Sequence, residues 1–218
     1  MMRTVTIVPA VLTANKQDFR AQLERINMYA HHIQIDVTDG KFAKNETLDI
    51  TNLWWPQGWQ VDLHMMVERP SFYMDTIFKL RPELCIFHAE AKENLLPIFE
   101  MLHEQGIKAG VALLKPTYPG LVKQYIEVAD HVLIFAGSLG EQGGQADMMQ
   151  VEKIEIIRGI KPEVEIGWDG GANMSNIRAL AHSDLDIINV GSALSRADNP
   201  SAVYQEMVLE LDKSGVVL

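Results

Sequence analysis

Short apolar runs recur along the chain at intervals of roughly 20–30 residues, and the segments between them carry apolar residues three and four apart. The runs are Val5–Leu12, Ile33–Val37, Gln60–Val67, Leu84–His88, Ile107–Leu114, His131–Ala136, Glu163–Trp168 and Ile187–Val190. The intervening segments are Lys16–Tyr29, Ser71–Leu80, Glu93–Glu104, Leu121–Val128, Ala146–Arg158 and Met174–Ala181; Leu95, Ile98, Phe99 and Leu102 illustrate the helical spacing. Strands alternating with helices imply parallel strands joined by crossovers. Eight such units predict a closed (β/α)8 TIM barrel. The competing architecture is an open doubly wound sheet. That fold usually carries a glycine-rich fingerprint after its first strand, and here the turn reads Thr13-Ala14-Asn15.

One unit breaks the rhythm. Asp39 to Gly58 is long, poor in helical pattern and holds Trp54 and Trp55, with Trp59 next. It reads either as a cap over one barrel end or as a contact surface for a second subunit. No linker, repeat or charge block divides the chain, so residues 1–218 are expected to form one domain.

Composition narrows the function classes. The chain has 29 acidic and 19 basic residues, a formal net charge of -10, and no basic stripe. Nucleic acid and anionic membrane are therefore excluded as expected partners. Hydrophobic residues make up 47%, enough for a substantial core. The lone cysteine, Cys85, lies inside an apolar run and is expected to be a core thiol. The first apolar run is too short to span a membrane and no small-residue cleavage signal follows, so a cytoplasmic protein is expected.

Chemistry in such a barrel sits at the C-terminal ends of the strands. Polar residues there are Gln34, Asp36 and Asp39 on strand two, Asp62 and His64 on strand three, and His88 and Glu90 on strand four. Strand seven ends before Asp169, Gly170 and Gly171. Gln34 and Asp36 share a strand face, as do Asp62 and His64. Asp36, His64 and Asp169 are placed to converge, and two carboxylates with an imidazole suit a divalent cation. A buried hydrogen-bond network is the plain alternative. Gly143-Gly144-Gln145, Gly170-Gly171 and Gly191-Ser192 follow successive late strands, and glycine lets backbone N–H groups approach a phosphate.

These residues resemble the ribulose-phosphate 3-epimerase family. The likeness runs in order through "PAVLTAN", "IQIDVTDGKFAKNET", "VDLHMMVERP", "IFHAEA", "IKAGVALLKPT", "GGQ", "WDGG" and "VGSAL". It implies a barrel of the ribulose-phosphate-binding type and a phosphorylated ketopentose substrate. It also implies a divalent metal (Zn, Mn, Fe or Mg) and a homo-oligomer. The reaction implied is inversion of the carbon beside a carbonyl through an enediolate, with Asp36 and Asp169 as acid and base. The positions matching the family's metal ligands are Gln34, Asp36, His64 and Asp169. Those matching its substrate and phosphate contacts are Met66, Gly143, Gly144, Gln145, Gly170, Gly171, Gly191 and Ser192.

Departures from the family cluster in the site. Gln34 replaces a ligand histidine, and Ala10 a substrate-contacting serine. Thr38 and Phe135 replace lining methionines, Lys115 an asparagine, and "SLGEQGGQ" a shorter glycine loop. A neutral amide oxygen binds more weakly than imidazole and suits harder cations such as Mn²⁺ or Mg²⁺. An alternative is therefore a phosphosugar-binding relative that has lost metal and turnover. The decarboxylase and hexulose-phosphate synthase group is disfavoured, because its Asp-x-Lys on strand two reads Asp36-Val37-Thr38 here.

Overall fold

The computed structural model describes residues 4–141 and 143–212. Its strands are β1 (Thr6–Val11), β2 (His32–Thr38), β3 (Gln60–Met66), β4 (Leu84–His88), β5 (Lys108–Leu113), β6 (His131–Phe135), β7 (Glu165–Asp169) and β8 (Ile187–Val190). They pair in sequence order, all parallel, and β1 closes on β8 to complete the barrel. Each strand is buried on both faces, which is why the runs read as nearly continuous apolar stretches. The outer faces pack on the helices through one large cluster that includes Phe19, Phe99 and Trp168. Leu84, Ile86, Ala112 and Leu133 form a separate cluster.

The helices are α1 (Lys16–Ile26), α2 (Met74–Leu80), α3 (Leu96–Glu104), α4 (Lys123–Val128), α5 (Lys153–Ile160), α6 (Ile177–Ala181), α7 (Ser192–Ser195) and α8 (Pro200–Asp212). Most are shorter than their apolar patterns predict. Single 3-10 turns at Pro70–Tyr73, Pro119–Val122 and Met148–Glu152 take up the first part of three expected helices. The first two turns carry proline in their opening positions, where its missing N–H costs nothing. Neither α7 nor α8 is among the segments expected from periodicity. The start of α8 is nonetheless marked in the chain, since Asn199 accepts from the backbone N–H of Ala202 at 3.1 Å beside Pro200. Among the described residues no helix is long and apolar enough to cross a membrane.

The segment after β2 lies over the C-terminal mouth. Its Leu48 N–H donates to the Thr13 carbonyl at 2.8 Å, and the Asn45 side chain donates to the Gly140 carbonyl at 3.0 Å. The Phe42 ring packs 4.8 Å from that of His88. Thr38 serves this segment, its hydroxyl donating to the Asn45 carbonyl at 2.5 Å. Of the two readings of Asp39–Gly58, these contacts match a cap over the barrel end, and the segment's own Leu48, Ile50 and Leu53 are buried.

Candidate active site

Register builds the site. Asp36 on β2 stands opposite His64 on β3, and Gln34 opposite Asp62 one layer lower. Asp169 is the last residue of β7, one position inside the strand rather than beyond it. The Gln34 amide nitrogen donates to Asp36 Oδ1 at 2.9 Å and to Asp169 Oδ2 at 2.8 Å. His64 Nδ1 lies 3.0 Å from Asp36 Oδ1 and 3.3 Å from Asp169 Oδ2. Two carboxylates from opposite sides of the mouth are thus bridged by the same two nitrogens. Asp36, His64 and Asp169 each offer an atom within 4.8 Å of the others.

Other polar candidates separate from this cluster. Asp62 pairs with His32 at 2.7 Å below the site. Asp39 is occupied by the cap, accepting from the N–H groups of Lys41, Phe42 and Glu68 at 2.8–2.9 Å. His88 sits directly behind the cluster, with its Nε2 at 2.9 Å from His64 Nε2, so one ring must donate to the other. On the far side His88 Nδ1 is 3.4 Å from Glu90 Oε2. Glu90 is held in turn by the Leu114 N–H at 3.0 Å and by the Thr117 hydroxyl. The Phe135 ring lies 5.8 Å from both imidazoles.

Burial sets the proton affinities. It raises the Asp36 carboxyl above its usual range, and the Asp169 charge adds to this. The hydrogen bonds from His64 and Gln34 pull the other way. Burial alone would lower His64, but its hydrogen bonds to Asp169 and Asp36 and their charges win, holding it up at about 9. Burial dominates at His88, taking it down to about 4 despite Glu90. The pair therefore fits a charged His64 donating through Nε2 to a neutral His88.

This arrangement sets a stability profile for the chelator-treated protein. Between pH 6.5 and about 4 the unfolded chain takes a proton on His88 that the folded chain refuses, so stability falls with pH there. His64 acts oppositely. Its contribution is fully present below pH 6.5 and is lost as pH rises toward 9, because the folded chain alone keeps that proton. The windows meet near pH 6.5, where these two contributions are jointly largest. Thermal melts from pH 4 to 9 check this. A His88→Gln variant should flatten the acid limb, separating it from Asp36, whose raised pKa acts in the opposite direction.

Above the carboxylates opens a cleft at the C-terminal mouth of the barrel. Ala10, Asp36, Met66, Phe135 and Asp169 line it, with Gly143, Gly144, Gly170, Gly171, Gly191 and Ser192 along one side. A Cβ built on Gly143 would fall 2.8 Å from Arg196 Nη1, so a guanidinium borders the glycine loops. Gln145 is exposed and not among the lining residues, unlike the two glycines before it. Gln142, within "SLGEQGGQ", lies outside the described residues. Sequence patterning missed Asn189, Ser138 and Glu141, which also line the cleft. Of these only Asn189 left a signal, as a polar residue inside the four-residue apolar strand β8.

The closed parallel barrel, with carboxylates, an imidazole and glycine loops gathered at its C-terminal mouth, is of the (β/α)8 class. The model of the ribulose-phosphate 3 epimerase family matches residues 6–195, and the chain belongs to that family, whose epimerases are isomerases acting on carbohydrates. The chain is 28% identical over 205 residues to ribulose-phosphate 3-epimerase of Schizosaccharomyces pombe, covering 90% of each chain. It is 25% identical to the Bacillus subtilis enzyme of that name, covering 92% of this chain and 97% of that one. Among solved structures, a 3-hexulose-6-phosphate synthase superposes with a TM-score of 0.75 over 94% of this chain and 99% of its own. At 16% identity that likeness concerns the fold.

Proposed function

We propose that this epimerase inverts the carbon beside the carbonyl of a ketose phosphate, with ribulose 5-phosphate and xylulose 5-phosphate as the pair, using Asp36 and Asp169 as the acid/base residues. The observation that carries this reading is the pair of carboxylates held across the cleft floor by Gln34 and His64. A C–H beside a ketone is weakly acidic. Inversion requires one carboxylate to take that proton on one face and the other to deliver a proton on the opposite face. The raised pKa of Asp36 brings that base nearer the working pH. His64 and Gln34 hold both carboxylates in place. Phe42 and Phe135 cover the imidazoles, and Met66 closes the apolar wall. Glycine N–H groups and the Arg196 charge at one side of the cleft suit the phosphate.

The residues fit a divalent cation. Donor atoms sharing one cation at bonds of about 2.1 Å lie roughly 3.0–3.4 Å apart, and His64 Nδ1 stands 3.0 and 3.3 Å from the two carboxylate oxygens. Gln34 Oε1 is buried without a hydrogen-bond partner among the described residues. A half-turn of the amide would aim that oxygen at the carboxylates, an arrangement that only a cation makes favourable. Asp36, His64, Asp169 and Gln34 would hold the ion, which supplies positive charge for the developing enediolate oxygens. The amide binds more weakly than imidazole. A Gln34→His variant is therefore expected to retain metal at least about tenfold more tightly after dialysis, read by elemental analysis. Equal retention would show that Gln34 does not limit the site.

The test of the reaction is incubation with ribulose 5-phosphate in deuterium oxide, with Mn²⁺, Mg²⁺ or Zn²⁺ and without. Deuterium at the carbon beside the carbonyl, together with xylulose 5-phosphate, is expected. No exchange under any condition overturns the reading. Binding without exchange supports the second reading, a phosphosugar-binding relative, which Ala10 and the carboxylate-facing Gln34 amide favour. A cytoplasmic, homo-oligomeric enzyme belongs to the same proposal; light scattering of the purified protein reads the oligomer.

A further inference from the structure

Asn189 is 3% exposed, and its Oδ1 is enclosed without a hydrogen-bond partner among the described residues. An unpaired amide oxygen in a protein interior is costly, so its persistence calls for a partner that arrives from outside. The position says what that partner is. Asn189 pairs in register with Asp169 on the neighbouring strand, and both residues line the cleft. They stand side by side at one height on the barrel's inner face. On the other flank β1 carries Val8 opposite Asn189, and Ala10 two residues nearer the mouth also lines the cleft. The substrate-contacting serine that the family resemblance places at position 10 is thus a bare methyl. Met66 and Phe135, which also line the cleft, offer nothing to a hydroxyl, and its other polar side chains, Ser138, Glu141 and Ser192, lie beyond the strand ends. Asn189 is the only amide among the described lining residues. It can both donate to and accept from one hydroxyl.

We infer that Asn189 is the positioning residue for the sugar, holding the substrate hydroxyl that lies beside the carbon facing Asp169 and so supplying the hydrogen bond that the methyl of Ala10 cannot make. The inference rests on the proposed ketose phosphate reading. It makes Asn189 specific for the polyhydroxylated chain, while the glycine loops hold the phosphate independently. A turn of the amide that brings Oδ1 to the cleft lets it accept from the entering hydroxyl, which satisfies the oxygen. Asn189 therefore opposes stability in the free protein and contributes to affinity in the complex. A side chain retained for folding would act the other way.

The full chain, its Asn189→Leu variant and its Asn189→Ala variant are compared by thermal melting and by calorimetric titration with ribulose 5-phosphate and, separately, inorganic phosphate. Leucine nearly matches asparagine in shape and removes the unpaired oxygen. Asn189→Leu is expected to raise Tm by about 2–4 °C and weaken ribulose 5-phosphate binding about tenfold, with phosphate affinity unchanged within about twofold. A lowered Tm with unchanged sugar-phosphate affinity overturns the inference. So does parallel loss of both ligands, or wild-type protein that binds ribulose 5-phosphate no better than phosphate. If Asn189→Leu does not fold, the ligand ratio of Asn189→Ala decides by the same criteria. Wild-type binding that needs Asn189, without deuterium exchange, overturns the assigned reaction while supporting the contact.

Discussion

Asp36→Asn and Asp169→Asn are each expected to fold and to lose interconversion of the two epimers by about 10³-fold or more. Asparagine preserves shape and keeps an oxygen that can face a cation, so the loss isolates the proton-transfer role. The diagnostic is asymmetric. Inversion needs both faces, but exchange of solvent deuterium into one epimer needs only the carboxylate on that epimer's face. Each variant should therefore still wash deuterium into one epimer while failing with the other, and the two variants should do so with opposite epimers. Incubating both variants with both epimers in deuterium oxide, and following mass and configuration separately, reads this directly. If both variants lose exchange with both epimers while remaining folded, the carboxylates act together on one step and the two-face assignment fails. If either retains wild-type interconversion, that carboxylate is not a proton carrier. The Gln34 and His64 bridges predict a secondary effect. With one carboxylate neutral, His64 loses part of the charge that holds it up at about 9, so its imidazole should titrate at lower pH in both variants.

The barrel was legible because its signal is redundant. Strands buried on both faces must be apolar nearly throughout, and eight such runs at regular spacing admit few other topologies. The helices were less so, since their first turns are often 3-10 and their periodicity is too short to fix a boundary. Asp36, His64 and Asp169 could be read as candidates because charged residues at inward positions of such strands stand out against their neighbours. What the amide of Gln34 faces could not be read. The same side chain serves a cation through oxygen or replaces one through nitrogen, and only the fold shows that its amide lies within hydrogen-bond distance of both carboxylates. His88 was visible as a polar strand end, but its place behind His64 depends on register between β3 and β4. Asn189 was hidden for a simpler reason: one amide among three aliphatic residues hardly alters an apolar run, and the following Gly-Ser draws attention to phosphate instead.

Gly170→Ala is expected to cost more than about 4 kcal/mol, among the largest effects of any single methyl in this chain. The residue has φ +115°, and a Cβ there would lie 2.1 Å from the Gly137 nitrogen and 2.5 Å from its Cα. The obstacle is backbone, so no rotamer change relieves it. The strands cannot separate locally either, because the Ala136 N–H donates to the Asp169 carbonyl at 2.7 Å one residue away. Gly171 is similarly confined, at φ +71° with its Cβ position 2.2 Å from the Ala146 nitrogen, while its carbonyl accepts from Asn173 and Asn176 at 2.8 and 3.0 Å. Gly159 is the control. It lies exposed in α5 with nothing within 4 Å of its Cβ position, so Gly159→Ala should stabilise by about 0.5–1 kcal/mol. Melting the three proteins side by side checks the contrast, with a Tm loss above about 10 °C expected for Gly170→Ala and a gain of about 1–4 °C for Gly159→Ala. A Gly170→Ala protein that melts within about 2 °C of wild type would mean the β6 and β7 loops do not meet so closely. That outcome would reach the chemistry as well. The approach that forbids a methyl at Gly170 also fixes Asp169, its immediate neighbour, at the end of β7, and brings the glycine backbone of two loops to one side of the cleft. The glycines here are thus a stability constraint and a site constraint through a single contact, and a substitution cannot relax one without the other.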